Sequence, residues 1–205
     1  MGFDPRRILS YPLIYRSFQR LSGGPKSMRR YVNEFIKPKQ GEHVLDIGCG
    51  PAAILEYLPK VQYWGFDMSQ EYIDAAKEKF GTRGEFVCKK VSRDVLTESG
   101  GFDLALATGV LHHLNDMEAI DLLSLAAFGL KPAGRLVTLD GCYDPSQGRL
   151  AKYFVSRDRG EYVRPTEEYV KLARQVFEQV QVTVLNDLLR LPYTHIVMQC
   201  SGVKK

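Results

Sequence analysis

The sequence predicts an α/β fold, a doubly wound and mostly parallel sheet with helices on both faces. Three observations carry this. From His43 onward, short apolar β-rich runs alternate with segments of helical periodicity, the pattern of βαβ units. A glycine-rich turn, "VLDIGCGP" at 44–51, ends the first of those runs, where sheets of this kind bind ligands. The last two strand-like runs, in "VQVTVLNDLLRLPYTHIVMQCSG", have too few residues between them for a helical crossover, so they should form an antiparallel hairpin turning near Leu191-Pro192.

The elements follow in order. Two N-terminal helices are expected at Tyr11 to Leu21 and Lys26 to Ile36, separated by Ser22-Gly23-Gly24-Pro25. In the second, Met28, Tyr31, Val32, Phe35 and Ile36 recur at helical spacing, with Pro25 before it and Pro38 after. His43 to Ile47 reads as a strand, and Pro51 to Leu58 as a short helix opened by its proline. A strand at Gln62 to Phe66 leads to a helix at Ser69 to Phe80, capped by Ser69 and striped by Tyr72, Ile73, Ala76 and Phe80. Strands at Glu85 to Lys89 and Phe102 to Ala107 come next. A helix from Met117 to Leu130 stops before Lys131-Pro132, and Arg135 to Asp140 is a fifth strand. Thr166, followed by two glutamates, should cap a last helix that runs to Phe177, ahead of the hairpin.

Composition narrows the function. The 205 residues are 44% hydrophobic and 25% charged, and no apolar run approaches the ~18 residues of a membrane helix. Four scattered cysteines without a C-x-x-C pair support neither a disulfide scaffold nor a zinc cluster, and no metal site is expected. The N-terminus reads as mature protein, and reduced thiols point to a cytoplasmic setting. The net charge of +4 is mild; the basic runs "PKSMRRYVNEFIKPK" and "GRLAKYFVSRDRG" suit solvated helix faces better than a nucleic-acid footprint.

The glycine turn alone leaves its ligand open. Gly48-x-Gly50-x-x-Ala53 satisfies the relaxed dinucleotide fingerprint. Asp46 argues the other way, because a carboxylate just before the turn repels a pyrophosphate and welcomes a cation. Gly48 to Gly50, Asp67 and Thr108 to His113 all follow strand ends, so they should converge on one crevice.

Four stretches in order, "VLDIGCGPAAILEYLP", "YWGFDMSQEYIDAAKEKF", "FDLALATGVLHHL" and "LKPAGRLVTLDG", together resemble the class I S-adenosylmethionine-dependent methyltransferases. The resemblance covers roughly 41–140 and implies a Rossmann-like seven-stranded sheet with an antiparallel last strand, which the closing hairpin supplies. It implies S-adenosylmethionine as cofactor, with its ammonium near Asp46, the backbone close at Gly48 and Gly50, and the ribose hydroxyls on Asp67. Cys49, Met68, Thr108 and Gly109 join the cofactor site on the same ground. Many relatives carry an acid after the third strand to accept from the adenine amino group. Here "FVCKKVSRDVL" puts Lys89, Lys90 or Val91 there. Either Asp94 reaches back, or the Val91 backbone and apolar packing hold the base.

The implied reaction is methyl transfer to the O, N or C atom of a small-molecule acceptor by aligned in-line displacement, with general-base help where the acceptor needs it. His112 and His113 are the candidate catalytic residues, with His113 better placed to face substrate; the competing role for each is to pin the loop by a hydrogen bond. Arg159 and Arg164, near Arg157 and Tyr162 in the insertion after the fifth strand, are candidates to clamp an anionic acceptor; the alternative is pairing with Asp158, Glu161 or Glu167. Tyr143, Tyr11 and Tyr15 complete the expected acceptor pocket. The expected organisation is one domain over 1–205: an N-terminal helical lid (1–40), a cofactor-binding core (41–140), an acceptor-side insertion (141–165), and the last helix with its hairpin (166–205). Two other functions stay open, an RNA methyltransferase and a cofactor-binding adaptor without turnover. The base-clamping Asn/Asp-Pro-Pro-Tyr/Phe motif and a Pro-Cys nucleophile are both missing, so nucleic acid is not the expected partner. Neither membrane insertion nor a defined oligomer is read, a homodimer being one option.

Overall fold

The computed structural model describes residues 24–98 and 101–204. The helix expected at Tyr11 to Leu21, with Tyr11 and Tyr15, lies outside the described residues.

A helix α1 (Gly24–Tyr31) runs on through a π-helical segment at Val32–Ile36 and stops where Lys37 turns left-handed (φ 48°). Then β1 (His43–Ile47), β2 (Gln62–Asp67), α2 (Gln70–Phe80), β3 (Glu85–Cys88), α3 (Arg93–Glu98), β4 (Phe102–Thr108) and α4 (Asp116–Gly129) alternate. The chain continues through β5 (Leu130–Tyr143), α5 (Arg149–Ser156), a two-residue β6 (Arg164–Pro165) and α6 (Thr166–Val176), and closes with β7 (Phe177–Leu185) and β8 (His195–Val203). Strand order is β3-β2-β1-β4-β5-β8-β7, with β6 on β5 as the eighth strand, one more than the expected seven. β8 is antiparallel to both neighbours, from Arg135↔Ser201 to Gly141↔His195 on one side. The order reverses between β1 and β4, whose carboxyl ends therefore open a crevice.

Alternation along the strands builds two cores, one on each face. Leu45, Ala105, Leu136, Ile196 and Met198 pack with Leu123 and Ala126 of α4 and Tyr169 of α6. Their strand neighbours Val44, Leu104, Leu106, Val137 and Val197 pack with Tyr31 and Ile36 near α1 and with Ile73 and Ala76 of α2. Burial on both faces explains why these strands read as nearly continuous apolar runs.

Ser69 accepts from Tyr72 N at the start of α2, and Asn115 with Glu118 forms a capping box on α4. Three expectations are corrected. Pro51 to Leu58 holds only one 3₁₀ turn, Ala53–Glu56, because Ala52 sits at φ 51° and interrupts helical geometry. Thr166 does not cap α6; Pro165 occupies the cap position, and the Thr166 hydroxyl points back to the Tyr143 carbonyl. α3 and α5 were not expected at all. No helix among the described residues is long and apolar enough to cross a membrane.

Candidate active site

Past β1 the chain turns at Gly48 (φ 73°) and Gly50 (φ 52°). A Cβ on Gly48 would stand 2.6 Å from Val110 Cγ2, so glycine is required by space as well as by backbone; at Gly50 only the backbone requires it. The N–H groups of this turn are all used internally. Gly48 N and Cys49 N donate to the Phe66 carbonyl at 2.8 and 3.0 Å, and Ala52 N to the Cys49 carbonyl at 2.9 Å. Gly50 N donates to Asp67 Oδ2 at 2.9 Å, and Pro51 has no N–H. A pyrophosphate needs free amides and a helix N-terminus behind them. This turn offers neither, and two carboxylates line the cavity beside it.

Those carboxylates, Asp46 and Asp67, line a cavity of about 590 Å³. Asp46 is buried and accepts the Tyr63 hydroxyl at 2.6 Å; burial pushes its carboxyl up to about 7. Asp67 also accepts Ser69 N on Oδ1 at 2.8 Å, which leaves each oxygen one lone pair for a further donor. The same cavity is also lined by apolar side chains, among them Ile47, Phe66, Val91, Leu122 and Leu125. A buried carboxylate, a second carboxylate with free lone pairs and apolar walls suit a cationic head, a diol and a flat apolar base, and S-adenosylmethionine has all three.

A second cavity, about 530 Å³, adjoins the first across Thr108, Gly109, His113 and Arg159, which line both. Its walls include the apolar side chains of Met28, Leu139, Phe154, Leu188 and Leu191. At its polar end His112 is held between two carboxylates. Nδ1 meets Asp140 Oδ1 at 2.8 Å, and Nε2 lies 3.3 Å from Asp158 Oδ1. Burial pulls its pKa down, but the hydrogen bond and charge of Asp140 with the charge of Asp158 prevail, and the net shift is upward. Asp158 is itself fixed by the Tyr193 hydroxyl at 2.6 Å, and Asp140 Oδ2 is buried without a hydrogen-bond partner among the described residues. His113, by contrast, is exposed at the junction of the cavities. Partial burial and the neighbouring His112, 4.1 Å away between ring centroids, lower its pKa.

Comparison with known proteins agrees with this geometry. Residues 44–134 match the family model described as a methyltransferase domain. The O-methyltransferase cnsE of Penicillium expansum is 28% identical over 80% of this chain and 62% of its own length. The ubiquinone biosynthesis O-methyltransferase of Coxiella burnetii is 32% identical over 52% of this chain and 46% of its own. A TehB-like methyltransferase structure from Corynebacterium glutamicum superposes with a TM-score of 0.66 at 18% identity, covering 97% of this chain and all of that one. Over 44–134 the chain carries a methyltransferase domain similar to that of the class I S-adenosylmethionine-dependent methyltransferases. It spans about half to three-fifths of the two curated relatives' length.

Within this methyltransferase fold, Asp46, Gly48, Cys49, Gly50, Asp67, Met68, Val91, Thr108 and Gly109 all line the first cavity. Asp94 does not. It is exposed in the first turn of α3, because the chain passes Val91 into a helix and carries that side chain away from the crevice. Lys89 and Lys90 line the cavity instead. Arg159 reaches both cavities; Arg164 and Tyr143 line neither. Arg164 is a buried strut: Nε bonds Asp116, and its terminal nitrogens bond the carbonyls of Leu111, Leu114 and Tyr162. Tyr143 is tied into the pairing of β5 with β6. Asp140, Asp158, Tyr193 and His195 enter the second cavity without having been expected. Asp140, close to the carboxyl end of the apolar β5 run, carried the same signal as Asp46 and Asp67; the other three carried none.

Proposed function

We propose that this chain transfers a methyl group from S-adenosylmethionine to a hydroxyl oxygen of a small organic acceptor, with His113 as general base. One observation carries the reading: two cavities of comparable size share the wall formed by Thr108, Gly109 and His113, and only the first presents Asp46 and Asp67. When bound, the cofactor supplies a methyl group activated by its sulfonium.

The chain's own residues do the rest. Asp46 receives the cationic amino-acid head, and Asp67 the ribose hydroxyls. The apolar walls of both cavities exclude water and align the acceptor, and alignment is worth roughly 7–11 kcal/mol in favourable cases. His113 is open to the junction and its lowered pKa keeps it neutral near pH 7, so its ring nitrogen takes the hydroxyl proton as the oxygen is methylated. His112 cannot serve in that role, because both its nitrogens face carboxylates. It positions the loop that carries His113. Both curated relatives are named as O-methyltransferases, which supports oxygen as the acceptor atom.

Calorimetric titration with S-adenosylhomocysteine, NAD and ATP tests the cofactor half, and transfer of tritiated methyl to a panel of hydroxylated small molecules tests the rest. Heat with S-adenosylhomocysteine alone and label on a hydroxylated acceptor are expected. Binding without transfer to any acceptor would favour an adaptor, and heat with NAD alone would overturn the cofactor assignment.

A further inference from the structure

We infer that Arg159 selects acidic acceptors, its guanidinium gripping a carboxylate that the acceptor carries beside the methylated oxygen. The inference rests on the methyl-transfer reading above and adds the substrate class to it.

Four cations line the second cavity or its junction with the first, or were expected there, and three are committed elsewhere. Arg164 spends its donors on Asp116 and on three backbone carbonyls. Arg157 lies 5.5 Å over the Tyr153 ring, and Lys79 pairs with Glu56. Arg159 has no carboxylate within ion-pairing distance among the described residues, although it is half-buried and lines both cavities. A partly desolvated guanidinium at the shared wall, with no counter-ion, invites an anion from the ligand.

Its placement is enforced from both sides. Asp158 is pinned by the Tyr193 hydroxyl at 2.6 Å, by Gly160 N at 2.8 Å and by its approach to His112. Gly160 lies so close to His112 that a Cβ there would stand 2.1 Å from His112 Cδ2, and Tyr162 N ties the next turn to the His112 carbonyl at 2.9 Å. The main chain at 159 is thus fixed over the site, and only the guanidinium is left to adapt.

Carboxylate fits better than phosphate. One planar guanidinium matches two carboxylate oxygens, whereas a phosphate dianion wants several donors. The backbone amides from 48 to 52 are already used. With the leucine and phenylalanine walls of the second cavity, the acceptor class is a hydroxy acid with an apolar, ring-sized body.

The test is calorimetry on the chain saturated with S-adenosylhomocysteine, titrated with 2-hydroxybenzoate and with the uncharged 2-hydroxybenzamide. Wild type, Arg159→Gln and Arg159→Lys are compared. The benzoate should bind wild type roughly ten- to a hundredfold more tightly than the amide. Arg159→Gln should erase that preference, Arg159→Lys should restore part of it, and S-adenosylhomocysteine affinity should stay within about twofold throughout. Equal binding of the two probes to wild type, or a preference that survives in Arg159→Gln, overturns the inference while leaving methyl transfer intact. Loss of S-adenosylhomocysteine affinity in Arg159→Gln overturns it too, by assigning the guanidinium to the cofactor's carboxylate. Failure of wild type to bind S-adenosylhomocysteine removes the underlying reading and the inference together.

Discussion

The two cavities are built by different means. The first is framed by local main chain: strand ends, a turn whose amides are all bonded internally, and two carboxylates carried by the last residue of β2 and the penultimate residue of β1, with apolar side chains completing the wall. The second is made of side chains brought from distant segments, with His112 after β4, Asp140 on β5, Asp158 after α5 and Tyr193 before β8 meeting in one part-buried network. On the methyl-transfer reading proposed above, the contrast teaches that the donor side is specified by local backbone geometry, and the acceptor side by long-range packing. Substitutions should therefore separate cleanly into those that change cofactor affinity and those that change turnover or stability.

The largest expected effect is on turnover. His113→Ala removes the proposed general base, a role worth about 10²–10⁴-fold in rate, and kcat should fall by that factor while the Kd for S-adenosylhomocysteine holds. Because its imidazole pKa is lowered, the acid limb of the kcat profile should lie below the ordinary value of 6.5. A Kd that rises in step with the loss of rate would assign His113 to cofactor binding instead of proton transfer and blur the division.

Next comes His112, where stability should respond. Its removal leaves Asp140 buried and uncompensated, a change worth about 3 kcal/mol of folding free energy. The folded pKa is raised, so the contribution is fully present below the unfolded value near 6.5 and fades as pH rises through the folded one. Chemical denaturation of His112→Asn should thus show a larger deficit at pH 6 than at pH 9. A deficit that grows with pH would mean a neutral His112 and a different network.

On the donor side, Asp67→Ala should weaken S-adenosylhomocysteine by about ten- to a hundredfold, the worth of hydrogen bonds to a charged acceptor. Part of that loss would come from the turn, since Gly50 N and Ser69 N lose their acceptor as well. Asp67→Asn, which keeps one carbonyl oxygen, should fall between. An unchanged Kd in calorimetry would sink the ribose assignment.

Asp46 gives a smaller, pH-dependent signal. Its carboxyl, pushed up to about 7, must be ionised to receive an ammonium. Affinity for S-adenosylhomocysteine should drop about tenfold between pH 8 and pH 6, with proton release on binding at the lower pH. Asp46→Asn should flatten that dependence. The two limbs distinguish the cavities: affinity titrates near 7, turnover below 6.5.

How far the sequence reveals each half follows from the same contrast. β1 occurs at His43–Ile47 as the apolar run indicated, and β2 exceeds its expected span by one residue, because burial on both faces leaves an unbroken hydrophobic signature. The glycines and the aspartates near the carboxyl ends of β1 and β2 are legible because backbone sterics and strand ends are local properties. α3 and α5 have six and eight residues, too short for periodicity to mark and held by packing more than by propensity. Arg159 and Arg164 stand five residues apart in the same insertion after β5, and nothing local says that the first faces a cavity while the second is buried against Asp116. Arg30, in the basic run of α1, pairs with Glu34 and Asp187, consistent with a solvated, salt-bridged face.

The smallest expected effect concerns the adenine end, where sequence spacing and backbone path disagree. By spacing, Asp94 is the carboxylate nearest to the place where relatives accept from the adenine amino group. By path, it is exposed on α3 and outside both cavities, while Lys89, Lys90 and Val91 line the first. Asp94→Asn should therefore change S-adenosylhomocysteine affinity by less than about twofold, within the scatter expected of a surface substitution. A tenfold loss would show that α3 unwinds to bring Asp94 over the base. The donor side would then depend on a segment that moves, as well as on main chain already in place.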